Sequence, residues 1–361
     1  MRKTAALLLP IIIFTFSCAS GIKEDESLVF FPTYGYFSEN GIVNLEIHAH
    51  IFEPETDSMI RSQFLKQLGK MVGLQKTDEE YSIFDERSRL FMVDNERNKV
   101  ISIRLGDAIY NLKKSGPNGH SITIIPINPE GLKKDIKPNN FIPFQTVMPT
   151  NDKRLFKGEA QLIEPEGISV ISDIDDTIKI SNVLDKKELV RNTFLRLYRP
   201  VQGMSALYQQ WASKGVVFHY VSGSPWQLYE PLSDFVQQNN FPQGSFHLKY
   251  LRLKDSSVIE FLVSDQEAYK IEHIQNIIGR FPKRRFILVG DSGEKDPEIY
   301  TRIAKLYPQQ IQAICIRDAG NMEPQQERFI NLKEESGSVP WYFFEDGDNL
   351  AVSFVWQAGH R

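Results

Sequence analysis

Two patterns of apolar and polar positions divide the chain between Ser27 and its end. From Ser27 to Phe156, short segments alternate apolar and polar residues, which is typical of strands with one buried face. The strands predicted in this way cover residues 43–50, 100–105 and 121–126. Met59–Met71 instead has helical spacing. Residues 27–156 are therefore predicted to form a β-rich domain with a helical insertion.

From about Gly158 the chain alternates short, mostly apolar runs with segments of helical spacing, such as Met204–Lys214 and Tyr269–Phe281. The apolar runs cover residues 167–172, 216–221, 286–289 and 311–316. Buried strands that alternate with helices predict a parallel, doubly wound, Rossmann-like α/β sheet for residues 157–361. Ligands of such sheets lie beyond the carboxyl ends of the strands. The polar clusters that follow these strands are therefore expected to converge.

The first 20 residues predict an export signal. Arg2 and Lys3 precede an apolar run, Ala5–Phe16, that is too short to span a bilayer and is followed by small residues. Cys18 lies where a bacterial lipoprotein signal places its lipidated cysteine, and simple secretion with cleavage nearby is the alternative. We predict an exported protein, either anchored to a membrane through Cys18 or periplasmic or secreted. The other cysteine, Cys315, is expected to be buried in a strand, without a structural disulfide.

Composition and charge narrow the class of protein. With 361 residues, 41% hydrophobic and 24% charged, the chain is long enough for two globular domains. Its net charge of -4 and the lack of a long Lys/Arg run argue against nucleic-acid binding. The sequence leaves the oligomeric state open.

The most informative polar cluster follows the apolar run 167–172. Asp173, Asp175 and Asp176 together are electrostatically costly behind a buried strand unless a cation compensates them. Mg²⁺ suits such oxygen ligands and a site that also holds phosphate. An aspartate can act as a nucleophile towards phosphorus, and a second carboxyl group can protonate the leaving oxygen and then activate water. A solvated acidic loop is the alternative interpretation.

Three further clusters have candidate roles in the same chemistry. Ser222–Trp226 offers a hydroxyl and backbone N–H groups for phosphate oxygens, or else forms an ordinary turn with a helix cap. Lys270 begins a helical segment and would offset phosphate charge, although most helix lysines face water. Asp291 directly follows a buried strand and Asp296 lies five residues further on, as for a metal ligand and its orienting partner, or in a polar loop.

In their order, these clusters resemble the haloacid dehalogenase superfamily, whose signatures are D-x-D-x-T, a Ser or Thr, a Lys and G-D-x-x-x-x-D. The strings S-D-I-D-D-T-I-K, Y-V-S-G-S-P-W-Q-L-Y and F-I-L-V-G-D-S-G-E-K-D-P-E-I-Y resemble the catalytic domain of the actin-patch phosphatidate phosphatases and their bacterial relatives, over about residues 154–320. F-F-P-T-Y-G-Y near residue 30 is similar to the region that precedes that domain. The resemblance implies a haloacid dehalogenase fold and Mg²⁺-dependent hydrolysis of phosphatidate, a phospholipid, to diacylglycerol and phosphate.

Residue roles follow from the resemblance at the matching positions. It implies that Asp173 is the nucleophile and a metal ligand, and that Asp175 is the acid/base, with its carbonyl also on the metal. Ser222 would hydrogen-bond the phosphoryl group, Lys270 would neutralise it, and Asp291 would complete the metal site. The supporting positions are Thr177, Gly223 and Asp296.

Two other functions stay open. The chain could instead hydrolyse soluble or protein-linked phosphomonoesters, or be a surface lipoprotein whose catalytic site is silent.

The segment Leu189–Arg199 is amphipathic and basic. It could lie on an anionic bilayer, but a helix that faces the core and has a solvated basic side is the favoured interpretation. A membrane surface is an expected partner in either case, because the implied substrate is a lipid.

Overall fold

The computed structural model describes residues 21–54, 66, 69–70, 77–132, 136–251, 267–320, 323 and 326–353. The predicted export signal, with Cys18, lies outside the described residues. Of the helix predicted at 59–71, only Lys66, Gly69 and Lys70 are described, and they are helical.

The first half of the chain forms a β-rich sheet. Its strands are β1 (Ser27–Phe31), β2 (Thr33–Phe37), β3 (Val43–Pro54), β4 (Val93–Asn95), β5 (Ser102–Leu105), β6 (Ala108–Asn111), β7 (His120–Ile127), β8 (Phe141–Thr146) and β9 (Lys157–Leu162). Strands β3, β5 and β7 confirm the three predicted strands. The long strand β3 pairs with β1, β2, β4 and β7, and its residues Val43, Leu45 and Ile47 are fully buried. Although β9 lies beyond residue 156, it pairs with β2 and β8 in this sheet.

A parallel sheet follows, and its strands confirm the four predicted apolar runs. They are β10 (Gly167–Ser172), β11 (Val217–Pro225), β12 (Gly244–Lys249), β13 (Arg284–Asp291), β14 (Ile311–Arg317) and β15 (Trp341–Phe344). The spatial order is β12-β11-β10-β13-β14-β15, and each neighbouring pair is parallel. Strand β10 is thus central, and the carboxyl ends of β10, β11 and β13 lie side by side.

Helices cover both faces of the parallel sheet. The described helices are α1 (Asp78–Arg89), α2 (Pro129–Leu132), α3 (Lys186–Phe194), α4 (Met204–Ala212), α5 (Tyr229–Gln238), α6 (Glu267–Arg280), α7 (Asp296–Leu306), α8 (Glu327–Glu335) and α9 (Gly347–Ser353). Val170 of β10 joins the apolar cluster beneath α3, α4 and α5, whereas Ile171 joins the cluster beneath α6 and α7. Because successive strand residues point to opposite faces, the sheet is buried on both sides, as its apolar runs predict.

Helix α3 settles the nature of the basic segment Leu189–Arg199. Leu189, Val190 and Phe194 are buried, and Val190 and Phe194 belong to the core cluster on that side of the sheet. The favoured interpretation, a helix that faces the core, is therefore confirmed. Among the described helices, none combines the length and the apolar character that crossing a bilayer requires. Cys315 is a buried free thiol in β14, as predicted.

Two arginine side chains, one half-buried and one buried, connect the two sheets. The Arg280 guanidinium of α6 donates hydrogen bonds to the Glu46 carboxylate (2.5 Å) and the Tyr34 hydroxyl (2.7 Å) in the first sheet. Arg284 of β13 donates to the carbonyls of Glu164 (2.8 Å) and Glu166 (2.5 Å), which lie in the connection between β9 and β10. These contacts fix the chain immediately before the central strand β10.

Candidate active site

The polar clusters that follow β10 and β13 converge at the carboxyl edge of the parallel sheet. Asp173 directly follows β10, Asp291 ends β13, and Lys270 lies in the first turn of α6. The Lys270 Nζ atom lies 2.9 Å from Oδ1 of Asp173. One carboxylate oxygen each from Asp173, Asp291 and Glu294 lies within 4.8 Å of the others. Three of the predicted site residues are therefore neighbours, as expected from the order of the strands.

Asp173, Asp291 and Glu294 form a candidate metal site. The N–H groups of Gly293 (2.6 Å) and Glu294 (3.1 Å) donate to Oδ1 of Asp291, while its buried Oδ2 has no hydrogen-bond partner among the described residues. Burial raises the pKa of Asp173 and Asp291 well above the ordinary range, and it also raises the pKa of Glu294. Buried carboxylates are costly when ionised, so a cation that compensates them fits this site. Three carboxylates suit a hard divalent ion such as Mg²⁺.

Lys270 is the cation that contacts Asp173 and Glu294 of the candidate metal site. Its Nζ atom donates hydrogen bonds to Asp173 (2.9 Å), Glu294 (3.1 Å) and Asp296 (2.7 Å), and only 1% of the side chain is exposed. Burial alone would lower the pKa of Lys270, but the neighbouring carboxylates raise it well above the ordinary value. Lys270 is therefore charged, and does not face water as most helix lysines do.

Asp175 occupies a separate part of the site. Its Oδ1 atom accepts hydrogen bonds from Lys179 Nζ and Ser181 Oγ (both 2.6 Å), and its Oδ2 atom accepts from Ser222 Oγ (3.2 Å) and Ser224 Oγ (2.9 Å). Burial would raise the pKa of Asp175, but Lys179, Ser181 and Ser224 lower it to about 2. In this arrangement Asp175 is a carboxylate, as a base requires. The Asp175 carboxylate does not belong to the candidate metal site of Asp173, Asp291 and Glu294. The ligand predicted from Asp175 is its backbone carbonyl, and that contact with the metal stays a prediction.

The loop between Asp173 and α3 is held by side chains that bond to the backbone. The Asp176 carboxylate accepts the N–H groups of Ser181, Asn182 and Val183 at 2.6–2.9 Å, and Asp176 itself has a φ of 51°. The Thr177 hydroxyl donates to Oδ2 of Asp173 at 3.3 Å. Thr177 thus contacts Asp173, and its supporting role stays a prediction.

Ser222 and Gly223 lie within strand β11 and not in a turn after it. The strand continues to Pro225, with an irregularity in its pairing between Ser222 and Pro225, and a short 3₁₀ turn at Trp226–Leu228 then leads into α5. The Ser222 hydroxyl donates to Asp175 and accepts the N–H group of Ser224 at 3.0 Å. The turn from strand to helix therefore begins at Trp226, four residues later than the sequence predicts. Ser222 lies beside Asp175, and its contact with phosphate stays a prediction.

Asp296 orients the other side of the site. Its Oδ1 atom accepts Lys270 at 2.7 Å, and its Oδ2 atom accepts the N–H group of Asp291 at 3.3 Å. A Cβ atom at Gly290 would lie 2.3 Å from Asp296 Oδ2, so glycine is required there. This geometry suits the supporting role predicted for Asp296.

Glu294, Lys179 and Ser224 are site residues that the sequence reasoning did not single out. Glu294 lies in the same loop as Asp291 and Asp296, so the signal available was one more acid within G-D-S-G-E-K-D. Lys179 lies in S-D-I-D-D-T-I-K, four residues after Asp175. The pattern alone does not show that either side chain turns towards the site.

Comparison with known proteins shows a likeness between this region and a catalytic domain family. Residues 168–318 match the family model described as "Phosphatidate phosphatase APP1, catalytic domain". Phosphatidate phosphatase APP1 of Saccharomyces cerevisiae is 39% identical over 166 residues, which are 45% of this chain and 28% of that protein. An uncharacterized protein of Schizosaccharomyces pombe is 27% identical over 303 residues, which are 78% of this chain and 48% of that protein. The chain thus spans less than half the length of either relative.

A solved structure gives a weaker likeness. A Bacteroides vulgatus protein whose name refers to beta-phosphoglucomutase aligns with 51% of this chain and 86% of its own, at 11% identity and a TM-score of 0.33. At that TM-score the likeness does not support an argument about the fold. The family model gives the stronger likeness, and its match covers every site residue described above, from Asp173 to Asp296. Residues 168–318 of this chain resemble the catalytic domain family of phosphatidate phosphatase APP1.

Proposed function

We propose that this protein is a Mg²⁺-dependent phosphatase of the haloacid dehalogenase type that hydrolyses phosphatidate to diacylglycerol and phosphate. The observation that carries the proposal is the buried contact of Asp173 with Lys270, next to the carboxylates of Asp291 and Glu294. A nucleophile, a fixed cation and a set of oxygen ligands for a metal are what phosphoryl transfer requires.

The first step is an attack on the substrate. An Asp173 oxygen attacks phosphorus in line, the ester P–O bond breaks, and the departing diacylglycerol oxygen takes up a proton from Asp175. Because Asp175 is a carboxylate beside Lys179, it must leave that contact and take up a proton before this step. Lys270 offsets charge on the phosphoryl oxygens, and Ser222 donates a hydrogen bond to them. The product of this step is an aspartyl-phosphate on Asp173.

The second step is hydrolysis of the aspartyl-phosphate. Asp175, again a carboxylate, accepts a proton from a water molecule that attacks phosphorus, and the bond between Asp173 and phosphorus breaks. Asp173, Asp291 and Glu294, with the carbonyl of Asp175, would hold Mg²⁺, which supplies further charge stabilisation on the phosphoryl oxygens when bound. Phosphate then leaves.

The resemblance supports the choice of substrate and of fold. The Saccharomyces cerevisiae relative is named a phosphatidate phosphatase, and residues 168–318, which match the family model, contain all the site residues. A parallel sheet with the nucleophile after its central strand is consistent with the haloacid dehalogenase fold. The substrate being a membrane lipid, we further propose that the protein works at a membrane surface, exported and anchored through Cys18.

Release of phosphate tests the proposal. Wild type and Asp173→Asn would be compared on vesicles that contain phosphatidate and on p-nitrophenyl phosphate, with Mg²⁺ and with EDTA. We expect wild type with Mg²⁺ to prefer phosphatidate, and Asp173→Asn or EDTA to abolish release from both substrates. Asp234→Asn, a change at an exposed position of α5, is the matched control and should retain the activity.

Each alternative has its own outcome in this assay. Preference for the soluble monoester would identify a phosphatase of soluble or protein-linked phosphoesters. No release from any substrate would indicate a silent lipoprotein. Full activity of Asp173→Asn would exclude Asp173 as the nucleophile and with it the mechanism.

A further inference from the structure

Two leucines that flank helix α3, beside the candidate active site, are exposed and do not belong to the buried face of that helix. Leu184 is 51% exposed and precedes α3, and Leu197 is 65% exposed and follows it. The apolar face of α3 itself is buried. A single exposed leucine is ordinary on a protein surface. Leu184 and Leu197 differ from an ordinary exposed leucine because both lie beside the candidate active site and both have cationic side chains nearby.

Leu184 lies next to the loop of the candidate metal site. The side chain of the preceding residue, Val183, packs over Gly293, with Val183 Cγ2 only 2.8 Å from where a Cβ atom of residue 293 would be. The N–H group of Gly293 in turn bonds to Asp291. Leu184 is therefore at the rim of the site, on its metal side.

Leu197 lies next to the loop that contains Asp175. The ring of the following residue, Tyr198, lies 4.7 Å from the Nζ atom of Lys179, which is paired with Asp175. The N–H group of Ile180 bonds to the carbonyl of Arg199 at 2.9 Å, which ties the chain after α3 to the catalytic loop. Leu197 is thus at the rim on the side of the acid/base.

Cations without partners accompany the two leucines. Lys186, Lys187 and Arg199 are exposed, and within the described part of the chain their side chains have no ion pair. The two other arginines of this segment have carboxylate partners, because Arg191 pairs with Glu80 (3.7 Å) and Arg196 pairs with Glu188 (2.5 Å). The segment therefore carries free positive charge next to exposed apolar side chains.

We propose that Leu184, Leu197, Lys186, Lys187 and Arg199, here called the rim patch, rest on an anionic phospholipid bilayer. Leucine side chains gain by burial among acyl chains, and lysine and arginine are attracted to anionic headgroups. Contact through the rim patch places the mouth of the site at the headgroup layer, where a phosphate ester of a lipid would be. The inference deepens the proposed function and rests on it for the identity of the substrate.

A fluorescent probe of local polarity tests the contact itself. In the full chain with Cys18→Ser, Leu184→Cys and Leu197→Cys would be labelled one at a time with an environment-sensitive dye, because the remaining cysteine, Cys315, is fully buried. Leu155→Cys and Leu306→Cys are matched controls, since each of these leucines is 51% exposed and lies elsewhere on the protein. The vesicles contain phosphatidylcholine and phosphatidylglycerol without phosphatidate.

We expect a blue shift and a gain in intensity at positions 184 and 197 when vesicles are added, and no change at positions 155 and 306. No shift at position 184 or at position 197, or equal shifts at all four, would overturn the proposal. Neither result depends on catalysis, so the test holds even if the protein does not hydrolyse phosphatidate. An equal response everywhere would point to adhesion through some other part of the chain.

The charges of the rim patch are tested by kinetics. We expect the double change Lys186→Gln and Lys187→Gln to lower phosphate release from anionic vesicles roughly tenfold or more, with the rate on p-nitrophenyl phosphate within twofold of wild type. Lys283→Gln with Arg285→Gln, at the opposite edge of the sheet where β13 begins, is the matched control. Equal rates for the two double variants on vesicles would overturn the role of the lysines.

Discussion

Removing the buried cation of the site gives the sharpest prediction. Lys270→Met keeps the approximate length of the side chain but removes its positive charge. The three carboxylates that surround Nζ at 2.7–3.1 Å then lose their ion-pair partner. Loss of one partner from a buried ion pair costs about 3–5 kcal/mol, because the remaining charge has neither water nor a counter-ion. We therefore expect the free energy of unfolding without divalent cations to fall by about 3–5 kcal/mol.

The assay is urea unfolding followed by circular dichroism in EDTA. Lys305→Met is the matched control, because Lys305 pairs with Glu335 at 2.9 Å while both side chains are about half exposed. Such a surface pair is worth less than about 1 kcal/mol. If Lys270→Met unfolds within about 1 kcal/mol of wild type, the buried carboxylates are not held by Lys270 and the reasoning is wrong.

The same experiment has a definite pH dependence. Burial raises the pKa of Asp173 above its value in the unfolded chain, and loss of Lys270 raises it further. An acid with a raised pKa in the folded state loses stability as pH rises, because the unfolded chain releases its proton more readily. The deficit of Lys270→Met should therefore be larger at pH 8 than at pH 5. A deficit that grows towards acidic pH would contradict this assignment.

Two other predictions concern packing and histidine burial. Gly290→Ala should lower the free energy of unfolding by about 1–3 kcal/mol and reduce phosphate release, because the new methyl group would overlap Asp296. The control is Gly279→Ala, where a Cβ atom meets no described atom within 4 Å and the change should be neutral or slightly stabilising. Equal thermal melting temperatures for the two variants would refute the overlap. Burial lowers the pKa of His48 to about 3 and of His50 to about 4, so the unfolded chain takes up protons first and stability should fall below about pH 6.5, by about 2 kcal/mol per histidine down to pH 5. Urea unfolding at both pH values should show a flatter profile for His50→Gln than for wild type, and an unchanged slope would contradict the prediction.

The sequence predicted the parallel sheet well because its strands are buried on both faces. Such strands appear as mostly apolar runs, and each predicted run falls within an observed strand or extends one residue beyond it. Asp173 and Asp291 follow from the same pattern, since an acid directly after a buried strand must lie at the edge of the sheet. Lys270 could be placed near them only through the order of the motifs, because one helical lysine has no local signal.

Long-range geometry set the limit of prediction from the sequence. The parallel pairing of β2 with β9 joins segments more than 100 residues apart, and alternation within either strand does not specify its partner. The contact between Asp175 and Lys179 depends on a tight turn in which Asp176 has a positive φ. Glu294 joins the carboxylate group only because the loop after β13 folds back on Asp291.

The hydrogen bonds of Arg284 determine where this protein could be truncated. An excised fragment of residues 168–318 would lack the carbonyls of Glu164 and Glu166, which accept two of the buried guanidinium's bonds. It would also lack β15, and β14 would become a bare sheet border prone to aggregation. The stretch marked by similarity is therefore shorter than the stretch that can stand alone, and truncations should retain the connection before β10 and everything through β15.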